Sequence, residues 1–473
     1  MPELPSALPG VAAAVVGGFL YAVIWYATRG LPGLPKTLAR AAPIIVIAPG
    51  IFLFSLVLAP QHEEAEPAAA PRPAKKAARP ERDPEAVPAD TAKSTKAAPH
   101  AAQPAPPLPS QAKTATKSGD VAPAPGGSAA PNGDWDVVPV FFGTDRVRKN
   151  GPKHVVYGSE RARRLELGRA LVTVPAAHQV PTIERPFALR VPYFQITLYE
   201  WEEDPKRHFT IKELKALSRD QFLVLVRERV AASRSFKDHA LVFVHGFNTA
   251  FDHALYRTAQ MAYDLKFDGV PFLYSWPSGG AVIGYGYDRE SATQAEPYLK
   301  EFLNLVVRET GAKSVSVIAH SMGNLPLLNV LRELGPALPS GVRLNELILA
   351  APDVDRDVFA NLIASIKQYG RGITLYCSAN DRAMSASRRF AGGVPRAGDV
   401  PADGPIIIAG IDTIDVTETS TDLLALNHSV YAEKSALLND IGLLLQTGER
   451  PPEKRIPILQ KVSTAKGDFW RYP

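Results

Sequence analysis

Cysteine is almost missing from this chain: Cys377 stands alone among 473 residues. One thiol makes no disulfide framework and no cysteine-rich metal site, which excludes a stapled mini-domain and a zinc ribbon. A basic stripe is lacking too. The net charge is +5, and only about +2 of it falls in residues 134–473. That balance gives no reason to expect nucleic acid as a partner, despite a pI near 9.0. No period of solenoid type recurs along the chain.

Charge of either sign is absent from two early runs. These are "LPGVAAAVVGGFLYAVIWYA", about residues 8–27, and "AAPIIVIAPGIFLFSLVLA", about residues 41–59. Each approaches the roughly 20 residues a helix needs to cross a bilayer core. Trp25 and Tyr26 end the first run, where amphipathic rings favour the membrane interface. The start, "MPELPSALPG", has no Lys or Arg and so lacks the basic head of a signal peptide. The expectation is a transmembrane hairpin within residues 1–60. Its connecting loop carries Arg29, Lys36 and Arg40 and no acid, which places that loop in the cytoplasm. The chain beyond it then lies outside the cytoplasmic (inner) membrane, on the periplasmic side. If only one run spans, the orientation reverses.

Large apolar residues are scarce over 61–133, where Ala, Pro and Lys dominate. Such a segment buries too little to offset the entropy of ordering, and reads as a disordered linker. Composition turns globular at Trp135, giving a third region, 134–473. Strands are expected at "WDVVPVFFGTD", "GRALVTVP" and "LRVPYFQITLYEW", and a helix at "RDQFLVLVRERVAAS". An alternation follows. Short apolar runs, "ALVFVHG", "VPFLYSW", "SVSVIAH", "LNELILAAP", "GITLYCSA" and "GPIIIAGIDTIDV", are separated by helical spacing at 251–267, 291–310, 324–334, 356–369 and 381–390. A last helix is expected at about 429–446. The pattern predicts an α/β fold, a mostly parallel central sheet with helices on both faces.

Within "VSVIAHSMGN", Ser321 stands where a strand gives way to a helix. A sharp turn there needs small residues two positions either side, and Ala319 and Gly323 supply them. Such a turn exposes a serine hydroxyl for attack on an acyl carbon. It also aims the N–H of Met322 at the oxygen that becomes negative. A serine needs a base. His428, in "LNHSVYAEK", is the only histidine after Ser321. A carboxylate must hold that imidazole. Asp381 after "GITLYCSAN" has the more usual placement, and Asp353 after "LILAAP" is the alternative. In "LVFVHGFN", Gly246 permits a close turn, and the Phe247 N–H is the second expected oxyanion donor. The Gly/Tyr-rich stretch 274–292 is read either as a wall of the substrate cleft or as a plain surface loop.

Taken in order, "VPVFFGTDR", "YGSERARRLELGRALVTVP", "VFVHGFN", "SWPS", "AHSMGN", "LAAPDVD" and "NHSVYAEK" resemble a bacterial family of alpha/beta hydrolases of unknown function. That family sits in the esterase/lipase group of the alpha/beta-hydrolase superfamily, and the resemblance covers about 136–446. It implies the alpha/beta-hydrolase fold, Ser321 as nucleophile, His428 as base and Asp381 as acid. It implies no substrate. The resulting expectation is a membrane-anchored serine hydrolase acting on a small-molecule or lipid acyl ester, with no metal or organic cofactor. The alternatives are an acyltransferase, thioesterase or amidase on the same triad, or a non-catalytic envelope scaffold.

Overall fold

The computed structural model describes residues 133–151, 154–190, 197–279, 284–379, 393–418 and 431–473. The expected membrane hairpin and linker lie outside these residues, as do Asp381 and His428. No helix among the described residues is long and apolar enough to cross a membrane.

One eleven-stranded sheet organises the domain. In chain order its strands are β1 (Trp135–Asn150), β2 (Val155–Pro175), β5 (Thr210–Leu217), β6 (His239–Val244), β7 (Val270–Ser275), β8 (Ser314–His320), β9 (Arg343–Ala350), β10 (Gly370–Cys377), β11 (Asp412–Asp415), β12 (Gln460–Thr464) and β13 (Gly467–Arg471). The spatial order is β12-β13-β11-β10-β9-β8-β6-β7-β1-β2-β5. From β13 to β1 every neighbouring pair is parallel, and antiparallel strands close both edges. Strands β6 and β7 are buried along their whole length, as a sheet covered on both faces requires.

The helices are α1 (Arg219–Ala232), α2 (Phe251–Asp264), α3 (Tyr285–Gln294), α4 (Glu296–Glu309), α5 (Asn324–Leu334), α6 (Arg356–Ile366), α7 (Tyr431–Thr447) and the short α8 (Pro452–Arg455). Phe222, Phe302, Leu327 and Phe359, from α1, α4, α5 and α6, share one apolar cluster on one sheet face. Leu255 of α2 and Ile441 and Leu444 of α7 join the cluster on the other face. The expected α/β architecture is therefore present.

Three local expectations differ. The run 188–200 does not join the main sheet. It forms a separate antiparallel pair, β3 (Ala188–Arg190) with β4 (Thr197–Glu200). The single helix expected at 291–310 is two helices meeting at Ala295, with Pro297 in the first turn of α4. Proline lacks the N–H that would continue an interior helix, yet is tolerated in a first turn. Finally, the apolar run 404–416 pairs only over Asp412–Asp415. Before that, Ile411 N–H turns back to the Ile408 carbonyl and Gly410 adopts φ of +92°. The isoleucines there are buried or half-buried in a loop rather than on a strand.

The C-terminal residues fold back. β13 pairs with β11, and Trp470 and Tyr472 bury their rings against the face that carries α7.

Candidate active site

Strands β6 and β8 are neighbours in parallel register, with Val244 opposite Ala319. The chain leaving β6 enters α2 on one sheet face, and the chain leaving β8 enters α5 on the other. Their carboxyl ends thus open a crevice at the point where the winding direction switches, which is where open α/β sheets bind ligands.

Ser321 sits at that crevice, in a short 3-10 turn, Ser321–Gly323, between β8 and α5. Its φ is +49°. A non-glycine residue held there costs about 1–3 kcal/mol, which the surroundings must offset. They do so at its carbonyl, which accepts from Asp353 N–H at 3.2 Å and from the Asn324 side-chain amide at 2.9 Å. Asn324 is fully buried and lies within reach of the Ala319 and Ala350 carbonyls as well. Gly323 has no room for a side chain: a Cβ there would lie 2.3 Å from the His245 carbonyl oxygen.

Gly246 brings the loop after β6 against the serine. A Cβ at that position would meet Ser321 Cβ at 2.9 Å and His320 Nδ1 at 2.9 Å. The next three N–H groups then diverge. Asn248, at φ +56°, turns its N–H to the Asp288 carboxylate at 3.1 Å. Thr249 N–H donates to Ser278 Oγ at 3.0 Å. Among the described residues nothing accepts from the Phe247 N–H. Met322, the other residue expected to supply a donor, is buried directly after Ser321.

Asp353 lies on the far side of the elbow, almost without solvent access. Its carboxylate faces Arg396 Nε at 3.2 Å and accepts from the Tyr285 hydroxyl at 3.0 Å. The Tyr285 ring packs edge-on against Phe247, with centroids 5.4 Å apart. Part of the stretch 274–292 therefore reaches the site. Asp355 caps α6, accepting from the N–H groups of Asp357 and Val358.

His245, at the end of β6, is fully buried and stacked on Trp276, 4.9 Å between centroids. Burial first, and then the neighbouring Arg146 cation, lower its pKa to about 3, so it is neutral at pH 7. Sequence reasoning gave no role to Arg146, Tyr285, Asp288 or Arg396. Their partners lie far away along the chain, and only "FGTDR" hinted at the first. Among the described residues no group of His, Cys, Asp and Glu side chains could hold a metal ion.

Residues 225–446 match the family model described as alpha/beta hydrolase of unknown function (DUF900). An uncharacterized protein of Nostoc sp. is 27% identical over 135 residues, covering 23% of this chain and 35% of that protein. The chain thus spans about a third of the length of that relative. A Lactobacillus plantarum chain assigned as a cell surface hydrolase is 13% identical, covering 46% of this chain and 95% of that one, with a TM-score of 0.29. An esterase of Pyrobaculum calidifontis is 10% identical, covering 60% of this chain and 81% of that one, with a TM-score of 0.25. The matched segment runs from within α1 to α7 and contains the serine turn, so nearly half of this chain is similar to an alpha/beta-hydrolase family whose function is undefined.

Proposed function

We propose that the chain is a membrane-anchored serine hydrolase that cleaves carboxylic esters. The observation that carries this reading is the left-handed Ser321 at the β8–α5 junction, held in strain beside the loop after β6. A serine serving only as a helix cap needs no such conformation, because capping residues adopt extended backbone angles. In the proposed reaction Ser321 Oγ attacks the acyl carbon while His428 takes its proton. The Phe247 and Met322 N–H groups hold the oxyanion. His428 then returns the proton to the leaving alcohol, and water releases the acid from the acyl-enzyme by the same route. Asp381 is favoured as the partner of His428 for its place after the strand "GITLYCSAN", with Asp353 the alternative.

An ester is favoured over an amide because acyl transfer to water meets the lower barrier there. Tethering by the hairpin expected at residues 8–59 would bring lipid or envelope acyl esters within reach. The test is labelling of the full-length protein with a tagged fluorophosphonate, beside Ser321→Ala and His428→Ala. Labelling of the wild type that disappears in both variants supports the triad. A folded wild type that never labels removes the hydrolase reading and leaves a binding scaffold.

A further inference from the structure

Arg146, in the C-terminal part of β1, is buried with 2% of its surface exposed. A guanidinium offers five N–H donors, and here each has an acceptor. Nε donates to Ser275 Oγ at 2.9 Å. Nη1 donates to the carbonyls of Gly158 at 3.0 Å and Ser278 at 3.1 Å. Nη2 donates to the Thr249 carbonyl at 2.8 Å and approaches His245 Nε2 at 3.3 Å. The group therefore ties β2, the end of β7, the loop after β7 and the loop after β6 to one plane.

The ring of His245 is set by the same arrangement. Its Nδ1 lies 2.9 Å from the Gly246 carbonyl, an acceptor only, so Nδ1 carries the proton. Nε2 is then the acceptor facing Arg146 and Ser275 Oγ. Among the described residues no carboxylate touches the guanidinium. The nearest balance comes from Asp145 and Asp288, whose fields partly offset the burial that lowers the Arg146 pKa to about 10, so it stays charged at neutral pH. Asp288, also fully buried, grips the same loop from the other side through Asn248 N–H, Ser278 Oγ and Gly279 N–H.

We propose that Arg146 is a positioning residue, which with Asp288 clamps residues 245–249 so that the Phe247 N–H faces Ser321. This rests on the acyl-transfer reading above. The clamp consumes the backbone groups that follow Phe247: the Thr249 carbonyl on Arg146, and the Asn248 and Thr249 N–H groups on Asp288 and Ser278. That leaves one donor directed elsewhere. Charged groups at the two ends of the clamp exclude a sliding register, since neither can be left buried without its partners.

The experiment compares full-length wild type, Arg146→Lys and Ser278→Ala by two readouts. The first is kcat and KM on p-nitrophenyl butyrate, counted per serine titrated with fluorophosphonate, which removes any loss of folded enzyme. Lysine keeps the charge but cannot span three carbonyls. Its kcat is expected to fall about 10²-fold, the effect of losing one oxyanion donor, with KM nearly constant. Ser278→Ala, which removes one link of the clamp, is expected to lose about tenfold. The second readout is amide exchange of peptides covering 245–250, expected to quicken in both variants. A folded Arg146→Lys with wild-type kcat and exchange overturns the proposal. If that variant does not fold, unchanged kcat and exchange in Ser278→Ala overturn it. A wild type that neither labels nor hydrolyses sinks the acyl-transfer reading instead, and exchange alone then decides whether Arg146 clamps the loop.

Discussion

At the scale of single residues, the site is built from backbone groups whose direction is forced. Ser321 is strained, and its carbonyl is held by Asn324 and by Asp353 N–H. The Asp353 side chain faces Arg396 where solvent hardly reaches. This divides the two candidate acids by experiment. Asp353→Asn removes the charge that Arg396 faces, and breaking a buried pair costs about 3–5 kcal/mol. A clear fall in Tm is expected, with chemistry per folded molecule changed far less. Asp381→Asn should do the reverse, keeping Tm while kcat drops about 10⁴-fold through the wrong imidazole tautomer. If the two phenotypes are exchanged, Asp353 is the acid.

At the scale of elements, one buried histidine fastens the segment after β2 to the end of α2. His178 donates through Nδ1 to Glu184 at 2.9 Å and through Nε2 to Asp264 at 2.8 Å, between the rings of Phe209 and Tyr263. Burial by itself would lower its pKa. The hydrogen bonds and charges of the two carboxylates outweigh that and raise it to about 9. The unfolded value is about 6.5. The folded state therefore binds this proton more tightly, and the contribution is full below about pH 6.5 and lost as pH rises through about 9. Wild-type Tm should decline between pH 7 and 9.5 more steeply than that of His178→Gln, which keeps hydrogen bonding without the charge. Parallel Tm curves for the two proteins would count against the ion cluster. The helix that carries Asp264 also ends for a local reason. Lys266 takes φ of +50°, and Phe267 N–H returns to the Ala262 carbonyl, so the helix stops before the residue 267 that its apolar spacing suggested.

At the scale of the molecule, the C-terminal residues complete the sheet. β13 covers the edge of β11, and Phe469, Trp470 and Tyr472 are all buried. Burial of each such ring contributes about 1.5–3 kcal/mol, so together they approach the whole net stability of a domain. Below them Arg455, itself buried, reaches Asp440 of α7 at 2.5 Å, and Asp440 also accepts from Tyr376 of β10 at 2.7 Å. A chain stopped after residue 459 should lose its cooperative melting transition and aggregate through the bared β11 edge. Differential scanning calorimetry and size-exclusion chromatography of that truncation would test this, and a monomer with wild-type Tm would refute it.

The sequence by itself determined what depends on neighbours along the chain. Continuous apolar strands alternating with helical spacing were enough for the sheet and its two layers, because burial on both faces leaves that pattern. The turn at Ser321 was legible because it needs small residues at fixed offsets, 319 and 323. The loop at 246–247 was legible because a glycine ends an apolar strand there. Tertiary structure alone decided the rest. The five donors of Arg146 reach acceptors 12 to 132 positions away, and Tyr285 meets Asp353 across 68. The apolar run at 404–411 buries as a loop because Gly410 and a turn prevent pairing. Hydrophobicity records that a residue is buried. Only the packed chain decides which distant polar group it then faces.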